Sequence, residues 1–198
     1  MTATLAATLA LLLGADPPPP PVPATGRTAG AEKAAPAAVE VWTEVVSAEA
    51  GVSIRFPGKP DLSTSDVDLP GGGGKMRMWM WVSGSERAGV GYVLMVMQVT
   101  GEKAEKELGN ASKEELARLI VKGRDDFVAK SEARIVRDEP VAIGGAVGRD
   151  MVLEGQGVRT RLLMAQQGTR LFQLMARAPD ETALEAAKPF FASFRPRS

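Results

Sequence analysis

Residues 149–194 read RDMVLEGQGVRTRLLMAQQGTRLFQLMARAPDETALEAAKPFFASF, and the fold follows from how this stretch divides. Residues 149–154 alternate in size and polarity, as a strand does. Gly155-Gln156 is a two-residue turn signal, with glycine supplying the unusual φ. A second strand runs over 158–165, a second tight turn falls at Gln167-Gly168, and a third strand covers 169–177. Two-residue loops would set Asp150 opposite Arg161, Met151 opposite Thr160, Leu163 opposite Phe172 and Met164 opposite Leu171. Apolar side chains fall on both faces of this meander, so cover is expected on both sides. Part of that cover is written immediately downstream. Asp180 can cap a helix, and Ala183, Leu184, Ala187, Phe190, Phe191 and Phe194 recur at helical spacing. Pro189 predicts a kink or a short break, because an interior proline loses a hydrogen bond and crowds the preceding turn.

Working outward, the chain divides into three parts. Residues 1–15 hold an apolar core over 5–13, too short to span a bilayer, and small residues at Gly14-Ala15. They read as a signal peptide, although the n-region carries no Lys or Arg. Residues 16–39 are rich in Pro, Ala and Gly and read as a disordered linker, with polyproline II over 17–21. Residues 40–198 read as a single α+β domain. The expected location is extracytoplasmic, periplasmic or secreted. No integral membrane span is expected in the mature chain, and with no cysteine to carry a lipid anchor the product is expected to be soluble.

Composition removes several chemistries. Lys plus Arg equals Asp plus Glu at 24 each, so the chain lacks the basic footprint of a nucleic-acid binder. It has no cysteine and no histidine. That excludes disulfides, thiolate nucleophiles, histidine-based triads and the common zinc and non-haem iron centres. No cofactor and no metal are therefore expected.

Within the domain, residues 41–46 begin a strand. Val52, Ile54 and Phe56 alternate onto one face of a second, stopped by Pro57-Gly58-Lys59-Pro60. Residues 62–69 form a polar strand near an edge. Pro70-Gly71-Gly72-Gly73-Gly74-Lys75 resembles a phosphate loop only superficially. Leu69 stands where that motif needs Gly and Met76 where it needs Ser or Thr, so a hairpin loop is expected. Residues 76–82 alternate, with Met76, Met78, Met80 and Val82 on one face and Arg77, Trp79 and Trp81 on the other. Residues 90–99 are nearly all apolar, the mark of a central strand. Met78, Met80, Met95 and Met97 admit two readings, a copper(I) thioether site or a core filled by flexible side chains, and the core reading is preferred. Residues 110–130 form the clearest helix. Ser112 and Glu115 make a capping box, and Leu116, Leu119, Ile120, Phe127 and Val128 make an apolar stripe. A strand over 132–143, broken by Pro140, returns to the meander.

The order of elements gives a mainly antiparallel sheet flanked by helices on both faces, an α/β/α sandwich. Trp42, Val52-Ser53-Ile54-Arg55-Phe56-Pro57-Gly58-Lys59-Pro60, Gly148-Arg149, Arg170-Leu171-Phe172-Gln173-Leu174 and Phe190-Phe191-Ala192-Ser193-Phe194 resemble exported bacterial proteins of the PsbP-like (Mog/PsbP-type sandwich) group. The resemblance covers residues 41–194 and is carried by strand ends, turns and helix packing. It implies the fold; many members of the group have no assigned activity, and some act as accessory subunits or as scaffolds for protein contacts. It carries over no catalytic residue.

Three functions are weighed. The first is a non-catalytic exported interaction or accessory domain, whose partner is another envelope or extracellular protein. The second is a small-ligand-binding module using Trp79 and Trp81, or the group Arg149, Asp150, Arg159 and Arg161. Cross-strand ion pairing, worth about 0.2–1 kcal/mol per pair, is the plainer explanation of that group. The third is a hydrolase built on Asp150 and Glu154. The first is preferred, and the chain is not expected to be an enzyme.

Overall fold

The computed structural model describes residues 41–69 and 74–197. The expected signal peptide and linker, and residues 70–73 of the glycine-rich stretch, lie outside them. The strands are β1 Trp42–Ser47, β2 Val52–Pro57, β3 Asp61–Asp68, β4 Lys75–Ser85 and β5 Val90–Thr100. Two helices follow, α1 Glu102–Gly109 and α2 Lys113–Ser131. Then come β6 Arg134–Ile143, β7 Ala146–Gly155, β8 Val158–Gln167 and β9 Arg170–Ala178. The chain closes with α3 Glu181–Glu185, α4 Lys188–Ser193 and β10 Arg195–Pro196.

The sheet order is β3-β4-β5-β9-β8-β7-β6, and a separate small sheet runs β1-β2-β10. Every pairing of these strands is antiparallel. The meander forms as expected, but its register differs. Asp150 pairs with Leu163 and Met151 with Leu162, while Phe172 pairs with Ala165 and Leu171 with Gln166. The reason is where each turn sits. Gln156 and Gly157 are the central residues of the first loop, both with positive φ, 51° and 73°. That is the demand of the type I′ hairpin. Gly168, φ 54°, and Thr169 form the second loop. Moving a two-residue loop by one position moves every pair by two, which keeps each side chain on its face.

Pleating sorts the core into two chemically distinct halves. One face collects Phe56, Trp79, Trp81, Tyr92, Phe172, Phe190, Phe191 and Phe194, with Trp42 packed against them. The small sheet, α3 and α4 lie on this side. The other face collects Met76, Met95, Met97, Met151 and Met164, with Met78 and Met175 packed against them beneath α1 and α2. Met80 faces the same side by strand alternation, without packing against this cluster. Of the ten aromatic residues, Phe127 of α2 is the only one packed with the methionines. Thus α1 and α2 cover the methionine face, whereas the aromatic face is covered by the small sheet and by helices of only five and six residues.

Local signals explain the helix ends. Ser112 accepts from the Glu115 backbone N–H at 3.2 Å and Glu115 accepts from the Ser112 N–H at 2.8 Å. Those bonds hold the Glu115 carboxyl below its ordinary pKa, the Ser112 backbone bond first. Ser112→Ala is expected to cost about 1 kcal/mol, measured by urea denaturation. Asp180 accepts from the Ala183 N–H at 2.8 Å. The expected interruption at Pro189 is a real break between α3 and α4, with Pro189 in the first turn of α4, where its missing donor costs nothing. Pro140 does not break β6, because β6 is an edge strand and forfeits no ladder bond there. The irregularity in β6 is instead a bulge at Val136.

Candidate functional site

Successive residues of a strand point to opposite faces, and this rule divides the expected charged group. Arg149 lies with Met151 and Leu153 on the methionine face. Asp150 lies with Val152 on the aromatic face. Arg149, Asp150, Arg159 and Arg161 therefore do not converge on one site. They belong to three ionic clusters, one on the methionine face and two on the aromatic face.

On the aromatic face, Asp150 accepts two hydrogen bonds from Arg161, from Nε at 3.0 Å and from Nη2 at 2.7 Å. The expected pair therefore forms, but diagonally, since Arg161 itself stands opposite Val152. Arg137 approaches the same carboxylate at 3.7 Å. The Arg161 guanidinium carbon sits 4.2 Å from the centroid of Phe191, an arrangement that adds cation–π attraction. Further along, Glu154 pairs with Arg134 and, at 3.5 Å, with Arg159, which also reaches Glu181 at 3.6 Å. Asp150 and Glu154 share a face, yet each is engaged by its own pair of arginines.

On the methionine face, Asp138 of β6 accepts from Arg149 Nε and from Arg124 Nη1 of α2, both at 2.5 Å. Asp138 is only 13 % exposed at its side chain. Burial opposes its charge, but the hydrogen bonds from Arg149 and then Arg124 outweigh burial and hold its pKa below the usual carboxylate range. Arg124 behaves likewise: burial works against its charge, and Asp125 and Asp138 raise its pKa nonetheless.

Trp79 and Trp81 are each 4 % exposed and belong to the aromatic core. They do not form an exposed binding face, because both indoles are covered, although Arg77 on the same face is exposed. Trp79 does border an open cleft of about 360 Å³ with Glu49, Thr64, Ser65, Asp66 and Arg77. Arg77 fills its donors there. Its Nε and Nη2 bond Asp66 at 2.7 and 2.9 Å, and its Nη1 bonds Glu49 at 2.7 Å. The Asp66 bond comes first in raising the Arg77 pKa, and the same bond lowers that of Asp66. Sequence reading places Arg77 on the tryptophan face. It misses the triad, since Glu49 comes from the turn after β1. A second, larger groove of about 650 Å³ runs between the small sheet and α4, past Trp42, Glu44, Arg55, Pro189 and Arg195. Arg195 is committed there to the Ala192 and Phe194 carbonyls, at 2.8 and 2.7 Å. Among the described residues, no three Asp or Glu side chains come together as ligands for a metal ion.

No protein-family model and no curated protein matches the chain. Several solved structures are similar to it, three of which follow. The solution structure of cyanobacterial PsbP (CyanoP) from Synechocystis sp. PCC 6803 aligns over 84 % of this chain and 98 % of its own, at 12 % identity and a TM-score of 0.47. A crystal structure from Bacteroides thetaiotaomicron covers 78 % of this chain and 48 % of its own, at 13 % identity and a TM-score of 0.40. A Pseudomonas aeruginosa protein of unknown function, described as a putative regulator, covers 76 % and 91 %, at 14 % identity and a TM-score of 0.36. At these values the likenesses assign neither an activity nor a partner.

Proposed function

We propose that this chain is an exported, non-catalytic accessory domain that docks a strand of another extracytoplasmic protein onto the edge of β3. One observation carries the reading. All eight side chains of β3, from Asp61 to Asp68, are exposed, and β3 is paired on one side only. A long unpaired edge offers a row of backbone donors and acceptors to an incoming strand. The opposite edge, β6, is blunted by a bulge at Val136, by Pro140 and by flanking charges. β3 has neither bulge nor proline, and it presents Leu62 and Val67 to water. Its charges are acidic. Asp66 is taken by Arg77, whereas Asp61 and Asp68 make no ion pair among the described residues. A partner strand that alternates Lys or Arg with apolar residues fits this edge.

A non-catalytic role is supported by the state of the carboxylates. Asp138, Asp150 and Glu154 are all bound by arginines. Among the described residues no helix is long and apolar enough to cross a membrane. The small-ligand reading rests on the cleft beside Trp79. It is the weaker one, because the cleft is polar, open and already filled with mutual ion pairs, unlike the enclosed apolar pockets that hold small molecules.

The test is a photo-crosslinking residue placed at Ser65 of β3 or at Glu139 of β6, in the full chain within its producing cells. A discrete protein adduct is expected from the Ser65 position, absent from the Glu139 position and lost when Leu62→Lys and Val67→Lys are added. No adduct at Ser65, or equal labelling at both edges, rules out the β3 edge.

A further inference from the structure

The methionine face holds an arrangement that register alone reveals. Met78 stands directly opposite Met97, and Met80 directly opposite Met95, on the adjacent strands β4 and β5. No other methionine of the described strands faces a methionine. Met76 pairs with Val99, Met151 with Leu162 and Asp138, Met164 with Gln173 and Arg149, and Met175 with Val93 and Leu162. Directly opposed residues of an antiparallel pair bring their Cβ atoms to about 4.5–5.5 Å. Residues two apart on a strand lie on the same face, roughly 7 Å from each other. The four side chains therefore root at the corners of one small square, and three rotatable bonds apiece let their sulfurs turn toward its centre.

From this square we propose a binding site for a soft monovalent metal ion, copper(I) or silver(I), held by the thioethers of Met78, Met80, Met95 and Met97. Thioether sulfur is soft and neutral, so it selects such ions over calcium, magnesium or zinc. With no cysteine and no histidine, methionine thioethers are the chain's only soft donors. Exposure gives the site an inside and an entrance. Met95 and Met97 are buried, in a cluster that includes Ala104 and Leu108 of α1. Met78 and Met80 are half-buried. Their neighbours on β3 are Ser65 and Ser63, both exposed, and α2 packs farther across the sheet on β7 and β8. An ion can thus reach the square from the β3 side without displacing α2. Gln173 is buried directly opposite Met95, and its Nε2 has no hydrogen-bond partner. The site is separate from the β3 backbone edge and stands whether or not a partner docks there.

Silver(I) is the probe, because it has the same softness and no redox chemistry under these conditions. The full chain, labelled at the methionine ε-methyl carbons, is titrated with silver nitrate in chloride-free buffer and followed by calorimetry and methyl NMR. One ion per chain is expected. Four methyl signals should shift, assigned by single Met→Leu variants to Met78, Met80, Met95 and Met97, while those of Met151 and Met164 stay in place. Affinity should be unchanged between pH 5 and pH 8, since a thioether has no proton to lose. The Met78→Leu/Met80→Leu chain, a swap of similar volume, should keep its fold by circular dichroism and lose the binding. The proposal fails if silver does not bind, if all the methionine signals move together, or if the double variant binds as the parent does.

Discussion

Phe190→Ala is expected to remove about 3–5 kcal/mol of folding free energy, the range for truncating a buried phenylalanine. Phe190 is 0 % exposed and makes edge-to-face contacts with Phe56 at 5.1 Å, Tyr92 at 5.3 Å and Phe191 at 5.2 Å between centroids. These rings come from the small sheet, the large sheet and α4, so a single side chain joins three elements. A helix of six residues cannot hold itself in water, and α4 depends on this contact for its place. The surrounding rings cannot collapse onto the vacancy without leaving their own partners. The change is read as a lower urea midpoint at unchanged slope. A loss under about 1 kcal/mol, the centre of ordinary point substitutions, would mean that the aromatic cluster is not what fastens α4 and the small sheet.

Much of this arrangement is legible in the chain, and the failures share one physical origin. Parity along a strand is local, so the division of Met76, Met78 and Met80 from Trp79 and Trp81 reads directly from spacing. The capping box of α2, the N-cap at Asp180 and the interruption at Pro189 are also local, and each is where spacing puts it. What spacing does not supply is the partner across a gap. Gly155-Gln156 and Gln156-Gly157 are both plausible loops on composition. Only the closed hairpin selects the one whose two central residues both take positive φ. That single step moves Asp150 from Arg161 to Leu163. The burial of Trp79 and Trp81 depends on β1, β2 and α4 folding back over them, which no local pattern encodes. α1 is missed for a different reason. It has eight residues, five of them charged, and buries only Ala104 and Leu108. An i, i+4 pair of that kind is too brief to stand out as a periodicity. The charged group errs the other way. Alternation already separates Arg149 from Asp150, and collecting them as one site ignores the pleat.

That separation makes Asp138 the more consequential acid of the domain. Asp138→Asn is expected to cost about 2–3 kcal/mol at neutral pH, below the 3–5 of a fully buried pair because one side still meets water. The substitution leaves Arg124 and Arg149 facing each other with their shared anion gone. The pH dependence distinguishes this from a packing defect. The Asp138 pKa in the folded chain is lowered, burial opposing and the Arg149 and Arg124 hydrogen bonds prevailing. A carboxylate lowered on folding binds fewer protons in the native state than in the unfolded one. Its stabilisation is therefore complete above the unfolded pKa, near about 3.9. It fades as pH falls through the folded value. The stability difference between parent and variant should hold steady from pH 7 to pH 5 and narrow below about pH 4. A difference that stays constant into acid would assign the loss to shape rather than charge. Because Arg124 belongs to α2, Asp138 to β6 and Arg149 to β7, the same acid also ties the helix to the sheet. Backbone amides of α2 should then exchange faster in the variant, while those of the aromatic face keep the parent's relative protection. The cover over the methionine face would thus be shown to hang on a charge, where the cover over the aromatic face hangs on rings.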